Sequence, residues 1–533
     1  MNVTIVQPAR RRGAVFPGAI LIFTLGTLLQ SAASSHVTVP VEGGYPGLPV
    51  MTGMTVASNG LAITWEGPSG YYTLYRKGSL SGGAWQAATN RLLGGAVTVP
   101  ATSSNGFFKV AGPSPNYGGS ANCASCHGTT VSSESKTPHA GALATLTRIG
   151  QGSNPACLPC HTVGYGLPTG FVNATATPRL AGVQCENCHG PAGNHMNNES
   201  DPTIRPAVDI SAAVCGGCHD GSPNPIYSEW QSSAHSVVVE DMNPTNRLVA
   251  CGQCHSGTTR LSLLNHQTPV PGDANMPVVC VVCHDPHAVH VWTNILTGEI
   301  ETNQLRNPVA STNDYSLATT AVFTNVYNPS INICGQCHNR RGAAWTDTSR
   351  APHPSAQYNM LVGTLGVVLS GGQPSRPAAH ALLIGDQCVG CHMQVPAPPQ
   401  TVAGHAFEVQ SYDACILCHP LPDMLVQFTT NSVLSQVYQL RDALNVWAAQ
   451  KAPAELWTNY GVLSWEYTTP GGLSVGTKGP STAQQSLIST NILKARFNLY
   501  EVYNEGSLGV HNGPLTTTLL NDALTWVQVE LNN

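Results

Sequence analysis

The chain has 533 residues, with 23 Lys and Arg against 28 Asp and Glu, a net charge of −5. That balance offers no electrostatic footprint for nucleic acid. Hydrophobic residues make up 42%, enough for a folded protein, while 53 Gly and 39 Pro favour turns and irregular backbone over long regular elements.

The N-terminus reads as an export signal. Arg10, Arg11 and Arg12 form a positive segment, the apolar run AVFPGAILIFTLGTLL follows, and small residues lie at Ser31 to Ser35. The apolar core is short for a membrane span and contains Pro17, so residues 1–33 are expected to be a signal peptide cleaved near Ala33. The mature protein is then expected in the periplasm, outside the cell or on its surface.

Residues 37–115 hold no cysteine. The runs LAITWEG, YYTLYRKG, GAVTVPA and GFFKVAG are rich in β-branched and aromatic residues and broken by Gly and Ser. They predict the strands of a small β-sandwich. The run ITWEGPSGYYTLYRKGSLSGGAWQAATN resembles fibronectin type III-like modules of secreted bacterial proteins, which implies a spacing or attachment role. Residues 116–424 carry every cysteine and few periodic apolar stretches, so a mostly irregular and α-helical region is expected. Residues 425–533 read as helices packing on it. Leu434, Val437, Leu440, Leu444 and Trp447 recur at helical spacing, a second helix ends at Gly506, and a third follows Pro514.

All 18 cysteines fall in nine copies of C-x-x-C-H. The copies are Cys123, Cys126 and His127; Cys157, Cys160 and His161; Cys185, Cys188 and His189; and Cys215, Cys218 and His219. Then come Cys251, Cys254 and His255; Cys280, Cys283 and His284; Cys334, Cys337 and His338; Cys388, Cys391 and His392; and Cys415, Cys418 and His419. Two thiols at this spacing reach the two vinyl groups of a haem, and the next residue, His, is held under the iron as proximal ligand. A redox disulfide, half a zinc site or a disulfide scaffold would not place a histidine after each of nine pairs. Nine c-type haems are therefore expected, acting as core, and export agrees with their attachment after secretion.

Haem iron has two axial positions. If protein fills both, the haem passes electrons; an open position admits a substrate. Outside the motifs stand eleven histidines, of which His36, at the signal junction, is set aside. His139, His195, His235, His266, His287, His290, His353, His380 and His405 lie within the motif span, and nine candidates for nine irons is the arithmetic of bis-histidine ligation. Met196 and Met393 are the methionine alternatives, with packing the plainer role for each. In CVVCHDPHAVH, His287 and His290 are expected to serve neighbouring haems, because the haem of His284 stands between them and that iron's far face. No catalytic residue is assigned.

The haem region resembles the multihaem cytochrome c superfamily of tetrahaem cytochrome c of ammonia oxidisers, pentahaem nitrite reductases and octahaem hydroxylamine oxidoreductase. The match is carried by CENCHGPAGNH, CVVCHDPH, APHPSAQYNMLVG, CVGCHM and ARFNLYEVYNEGSLGVHNGP. The resemblance implies distal ligand roles for His139, His195, His235, His287, His353, His380 and His405, and makes His511 a tenth candidate. Ammonia-forming nitrite reductases bind their catalytic haem through C-x-x-C-K, and none of the nine motifs here ends in Lys. The expected function is electron transfer in respiration or to the cell exterior. Its partners would be redox proteins, such as a quinol-linked membrane complex or an outer-membrane conduit, with self-association through the β-module a variant. The alternative is an oxidoreductase of a small nitrogen or sulfur compound at one five-coordinate haem.

Overall fold

A computed structural model describes residues 21–24, 37–38, 49–57, 60–66, 71–77, 86–93, 95–99, 105–111, 116–200, 205–206, 208–222, 224–238, 240–293, 300–306, 333–370, 372, 374–384, 387–395 and 403–533. His36 and the expected cleavage point near Ala33 lie outside these residues. The chain forms two compact units. The first takes Met1–Ser222 with Asp285–Val289, the second Pro223–His284 with His290–Asn533. The division does not follow the compositional boundaries: it cuts the cysteine-bearing region after its fourth motif.

The first unit opens with two four-stranded antiparallel sheets. One has the order β2 (Val37–Thr38), β3 (Val50–Ala57), β4 (Gly60–Glu66), β7 (Ala96–Val99). The other runs β1 (Leu21–Thr24), β8 (Asn105–Ala111), β5 (Tyr71–Lys77), β6 (Gln86–Leu93). Edge strand β1 lies inside the expected export signal and pairs with β8. On β4, Ile63 and Trp65 are buried while Thr64 and Glu66 are exposed, the two-residue alternation of a strand with one wet face. Met51, Met54, Ile63, Trp65, Tyr72, Leu74, Val99, Phe108 and Val110 form one apolar cluster.

The rest of the first unit is short helices and turns around Tyr117, Leu143, Leu158, Val163, Phe171 and Leu180. Here Glu186 is buried, and its carboxylate accepts hydrogen bonds from the backbone N–H groups of Gly118 (3.0 Å), Gly119 (2.7 Å) and Ala192 (2.7 Å). Three donors on one buried carboxylate offset its loss of water.

The second unit holds its apolar core in three long helices, Pro422–Gln450, Thr490–Glu505 and Gly513–Asn532. The first buries Val433, Val437, Leu440, Leu444 and Trp447; Val433, rather than Leu434, completes the stripe. Ser489 caps the second helix by accepting from the N–H of Ile492, and Gly506 ends it at φ 88°, a backbone region that costs glycine little. Asn512 caps the third by accepting from the N–H of Leu515 and donates to the carbonyls of Met360 (3.0 Å) and Arg376 (2.8 Å). Met360, Leu365 and Val367, from the cysteine-bearing region, share this core with the helices. Arg496 is fully buried and donates to the carbonyls of Trp465 (3.0 Å), Glu466 (2.8 Å) and Asp347 (3.2 Å) and to Gln485 Oε1 (2.8 Å). Among the described residues no helix is long and apolar enough to cross a membrane.

Candidate haem sites

Most of the motifs coil into short helical segments: Leu158–His161, Cys185–His189, Gly252–His255, Cys280–Cys283 and Gln387–His392, with Cys123 and Cys126 near the start of helix Ser120–Glu134. One helical turn brings residues three apart onto one side, so both thiols of a motif face the same way. All eighteen thiols are free of disulfide bonds.

Seven motif histidines face a second imidazole. In the first unit His219 faces His139 at 5.9 Å between ring centres, and His189 faces His287 at 6.0 Å with planes 5° apart. In the second unit the pairs are His338 with His235 (6.2 Å), His255 with His353 (6.0 Å) and His284 with His405 (6.3 Å). His419 faces His380 (6.0 Å) and His392 faces His511 (6.1 Å). A metal–imidazole bond is about 2.0–2.1 Å, and a ring nitrogen lies about 1.1 Å from its ring centre, so two imidazoles on one metal stand roughly 6 Å apart. The seven spacings fit an iron between each pair.

Local structure holds these rings. The stretch 139–140 passes under Gly182 (φ 86°), where a Cβ would lie 2.3 Å from the carbonyl oxygen of Ala140. The N–H groups of Ala142 and Val183 both donate to the carbonyl of His139, each at 3.0 Å. His405 sits in a loop clamped by Glu229, which accepts from the N–H groups of Ala403 (2.6 Å) and His405 (2.8 Å). Gly404 precedes it because a Cβ there would come 2.5 Å from the backbone of Met393. The ring edge of Phe407 packs against His235 at 4.5 Å and 77°. Burial lowers the proton affinity of His139, His235, His338, His353, His380 and His392, which keeps each imidazole in the neutral form a metal binds.

Outer ring nitrogens are also fixed. His161 Nδ1 bonds the carbonyl of Ala142 (3.1 Å), His338 Nδ1 the side-chain oxygen of Gln357 (3.2 Å), His392 Nδ1 the carbonyl of Phe407 (3.2 Å) and His405 Nδ1 that of Ala403 (3.1 Å). Such bonds leave Nε2 to face a metal. His511 differs: its Nδ1 meets the carboxylate of Glu505.

Neighbouring motifs touch. In the first unit the thiol of Cys185 lies 3.1 Å from the hydroxyl of Ser120, which opens the helix that carries Cys123 and Cys126. Asn187, inside the third motif, donates to the carbonyl of Thr162 just after the second (2.9 Å). In the second unit the thiol of Cys254, in the fifth motif, lies 3.9 Å from the carbonyl oxygen of Gln336 in the seventh.

The sequence-derived candidates divide accordingly. His139, His235, His287, His353, His380, His405 and His511 each face a motif histidine. Among the described residues no imidazole stands at this spacing from His127 or His161. His195 lies on the short helix Gly193–Asn197, and His290 opens a strand, His290–Thr293, hydrogen-bonded to Ile300–Asn303. His266 is exposed in a left-handed turn at φ 55° and faces no motif histidine at this spacing. His511, the tenth candidate, lies beyond the motif span and faces His392. Glu186, Glu229 and Glu505 escaped the sequence reading, because a carboxylate that holds backbone or an imidazole has no fixed spacing from its partner.

The family model described as cytochrome c554 and c-prime matches residues 122–190. Multiheme cytochrome MtrA of Shewanella baltica is 27% identical over 283 residues, covering 45% of this chain and 77% of that protein. Cytochrome c-554 of Nitrosomonas europaea is 32% identical over 141 residues, covering 20% of this chain and 60% of that one. The crystal structure of outer cell wall cytochrome OcwA aligns over 77% of this chain and all of that one, at 18% identity and a TM-score of 0.49. The repeated attachment motif and the facing imidazoles define a c-type haem protein. With the family-model match and the two relatives in sequence, the chain is a multihaem c-type cytochrome.

Proposed function

We propose that the chain is an exported electron-transfer cytochrome carrying nine covalently bound haems, in respiratory or extracellular electron transfer. The observation that carries the reading is in the second unit: all five of its motif histidines face another imidazole at 6.0–6.3 Å. When bound, each haem iron carries one electron by cycling between ferric and ferrous states. The chain would supply the thiols that fix each haem, the facing imidazoles that close both faces of seven irons, and burial that keeps His139, His235, His338, His353, His380 and His392 neutral. Closed faces favour electron passage over substrate chemistry, and the touching motifs favour transfer from haem to haem. His139, His235, His287, His353, His380, His405 and His511 are the distal ligands in this reading, with His195 the remaining one for the first unit.

The partners would be redox proteins, a quinol-linked membrane complex or an outer-membrane conduit among them. The N-terminal strands would form a fibronectin type III-like sandwich that spaces or attaches the haem region.

A second reading, turnover of a small nitrogen or sulfur compound, has one observation in its favour. The first unit carries four motifs, yet outside them its described residues hold only His139, His195 and His287. One haem there is left without a histidine from its own unit. Ferric-state spectroscopy with a haem count decides between the readings. Electron transfer expects nine haems per chain, at least seven of them low-spin; fewer than seven overturns it. Turnover of nitrite or hydroxylamine with an artificial donor or acceptor, lost when the first unit's open haem is blocked by cyanide, would establish the second.

A further inference from the structure

The run E-G-S-L-G-V-H-N joins the last two helices, and its first residue is a buried carboxylate. Glu505 ends helix Thr490–Glu505, and the chain reverses through Gly506 at φ 88° and Gly509 at φ 96°. The reversal brings His511 back onto Glu505. One carboxylate oxygen meets His511 Nδ1; the other accepts from the backbone N–H (3.1 Å) and the hydroxyl (2.6 Å) of Ser507. Ser507 Oγ also accepts from the N–H of His511 (3.2 Å), and Asn512 next along is pinned as a helix cap. The carboxylate and the imidazole therefore have one mutual geometry.

We infer that Glu505 is a positioning and tuning residue that lowers the reduction potential of the haem held by Cys388, Cys391 and His392. The inference rests on His511 being that haem's distal ligand. A carboxylate on the outer nitrogen of a ligating histidine fixes its tautomer and raises its basicity. A more basic ligand favours the ferric state, so the potential falls. The outer nitrogens of His338, His392 and His405 meet neutral oxygens instead. In the second unit this haem should accordingly lie below the haems held by His338 and His284. The contrast is sharpest beside Gln357: its side-chain oxygen meets His338, while its amide donates to the backbone carbonyl of Glu505 itself (2.9 Å).

The test is potentiometric titration of the full-length, haem-loaded protein, followed by visible and electron paramagnetic resonance spectra, in Glu505→Gln, Ser507→Ala and His511→Ala. Glu505→Gln keeps shape and a hydrogen-bond acceptor but removes the charge. It should raise one haem's potential by about tenfold in the ferric-to-ferrous ratio, ~60 mV for one electron, with the other haems unmoved. Ser507→Ala strips a donor from the carboxylate and should move the same haem downward. No shift in Glu505→Gln, while His511→Ala opens one haem to the high-spin state, overturns the tuning role and leaves the ligand assignment standing. An unchanged spin count in His511→Ala overturns the assignment, and the inference with it. If Glu505→Gln does not fold, an unshifted Ser507→Ala overturns the inference by itself.

Discussion

His405→Ala isolates what one facing imidazole does. The ring of His405 stands 6.3 Å from that of His284, with planes 26° apart. Its loop is held by Glu229, but through the backbone N–H groups of Ala403 and His405, which alanine retains. The substitution therefore removes a ligand without releasing its loop. Hydrogen bonds to a charged group contribute about 1.5–3 kcal/mol each, so two retained bonds keep the loop seated. The haem on Cys280 and Cys283 should become five-coordinate. In the ferric spectrum the high-spin fraction should rise by about one haem per chain, and after reduction carbon monoxide uptake should rise by one per chain. His405→Met should restore six-coordination and raise that haem's potential. Glu229→Ala should loosen the same site while leaving the imidazole on the chain, giving a partial high-spin signal. An unchanged spin state and carbon monoxide stoichiometry in His405→Ala would refute the pairing argument, since the two Glu229 bonds that seat the loop are unaltered.

Arg496→Met should destabilise the second unit by about 3–5 kcal/mol in denaturant titration, because removing the buried guanidinium orphans the four acceptors it serves; a cost below 1 kcal/mol would contradict the network. Leu440→Ala, at a fully packed position of helix Pro422–Gln450, should cost about 2–5 kcal/mol by the same measurement. Burial raises Glu466 above the usual carboxylate range, against the hydrogen bonds from Ser474, Tyr500 and the backbone that lower it. A folded-state value above the unfolded one gives stability that is complete at low pH and lost as pH rises through the folded value. Glu466→Gln should therefore flatten the pH dependence of unfolding on the alkaline side of the carboxylate range, and an unaltered profile would contradict the assignment.

The local chemistry was legible from spacing alone. C-x-x-C-H places both thiols and the proximal imidazole within five consecutive residues, so attachment needs no knowledge of the fold. The helices after residue 425 were legible for a similar reason: steps of three and four set a buried face, and Gly506 marks an end. The distal side is different in kind. His511 lies more than a hundred residues from His392, and His405 more than a hundred from His284. Counting within the motif span set nine histidines against nine motifs and left His511 as a tenth, because a count has no access to which ring the chain returns to which motif. Glu229 is further from any motif-like pattern still: its carboxylate bonds the backbone of a loop far along the chain, and backbone N–H groups look alike in every sequence. The sequence by itself determined the nine cysteine pairs and the imidazole that follows each of them. Only the tertiary structure decided which second imidazole faces it, because that contact is made between segments distant in the chain and depends on how glycine turns, buried carboxylates and helix caps bring them together.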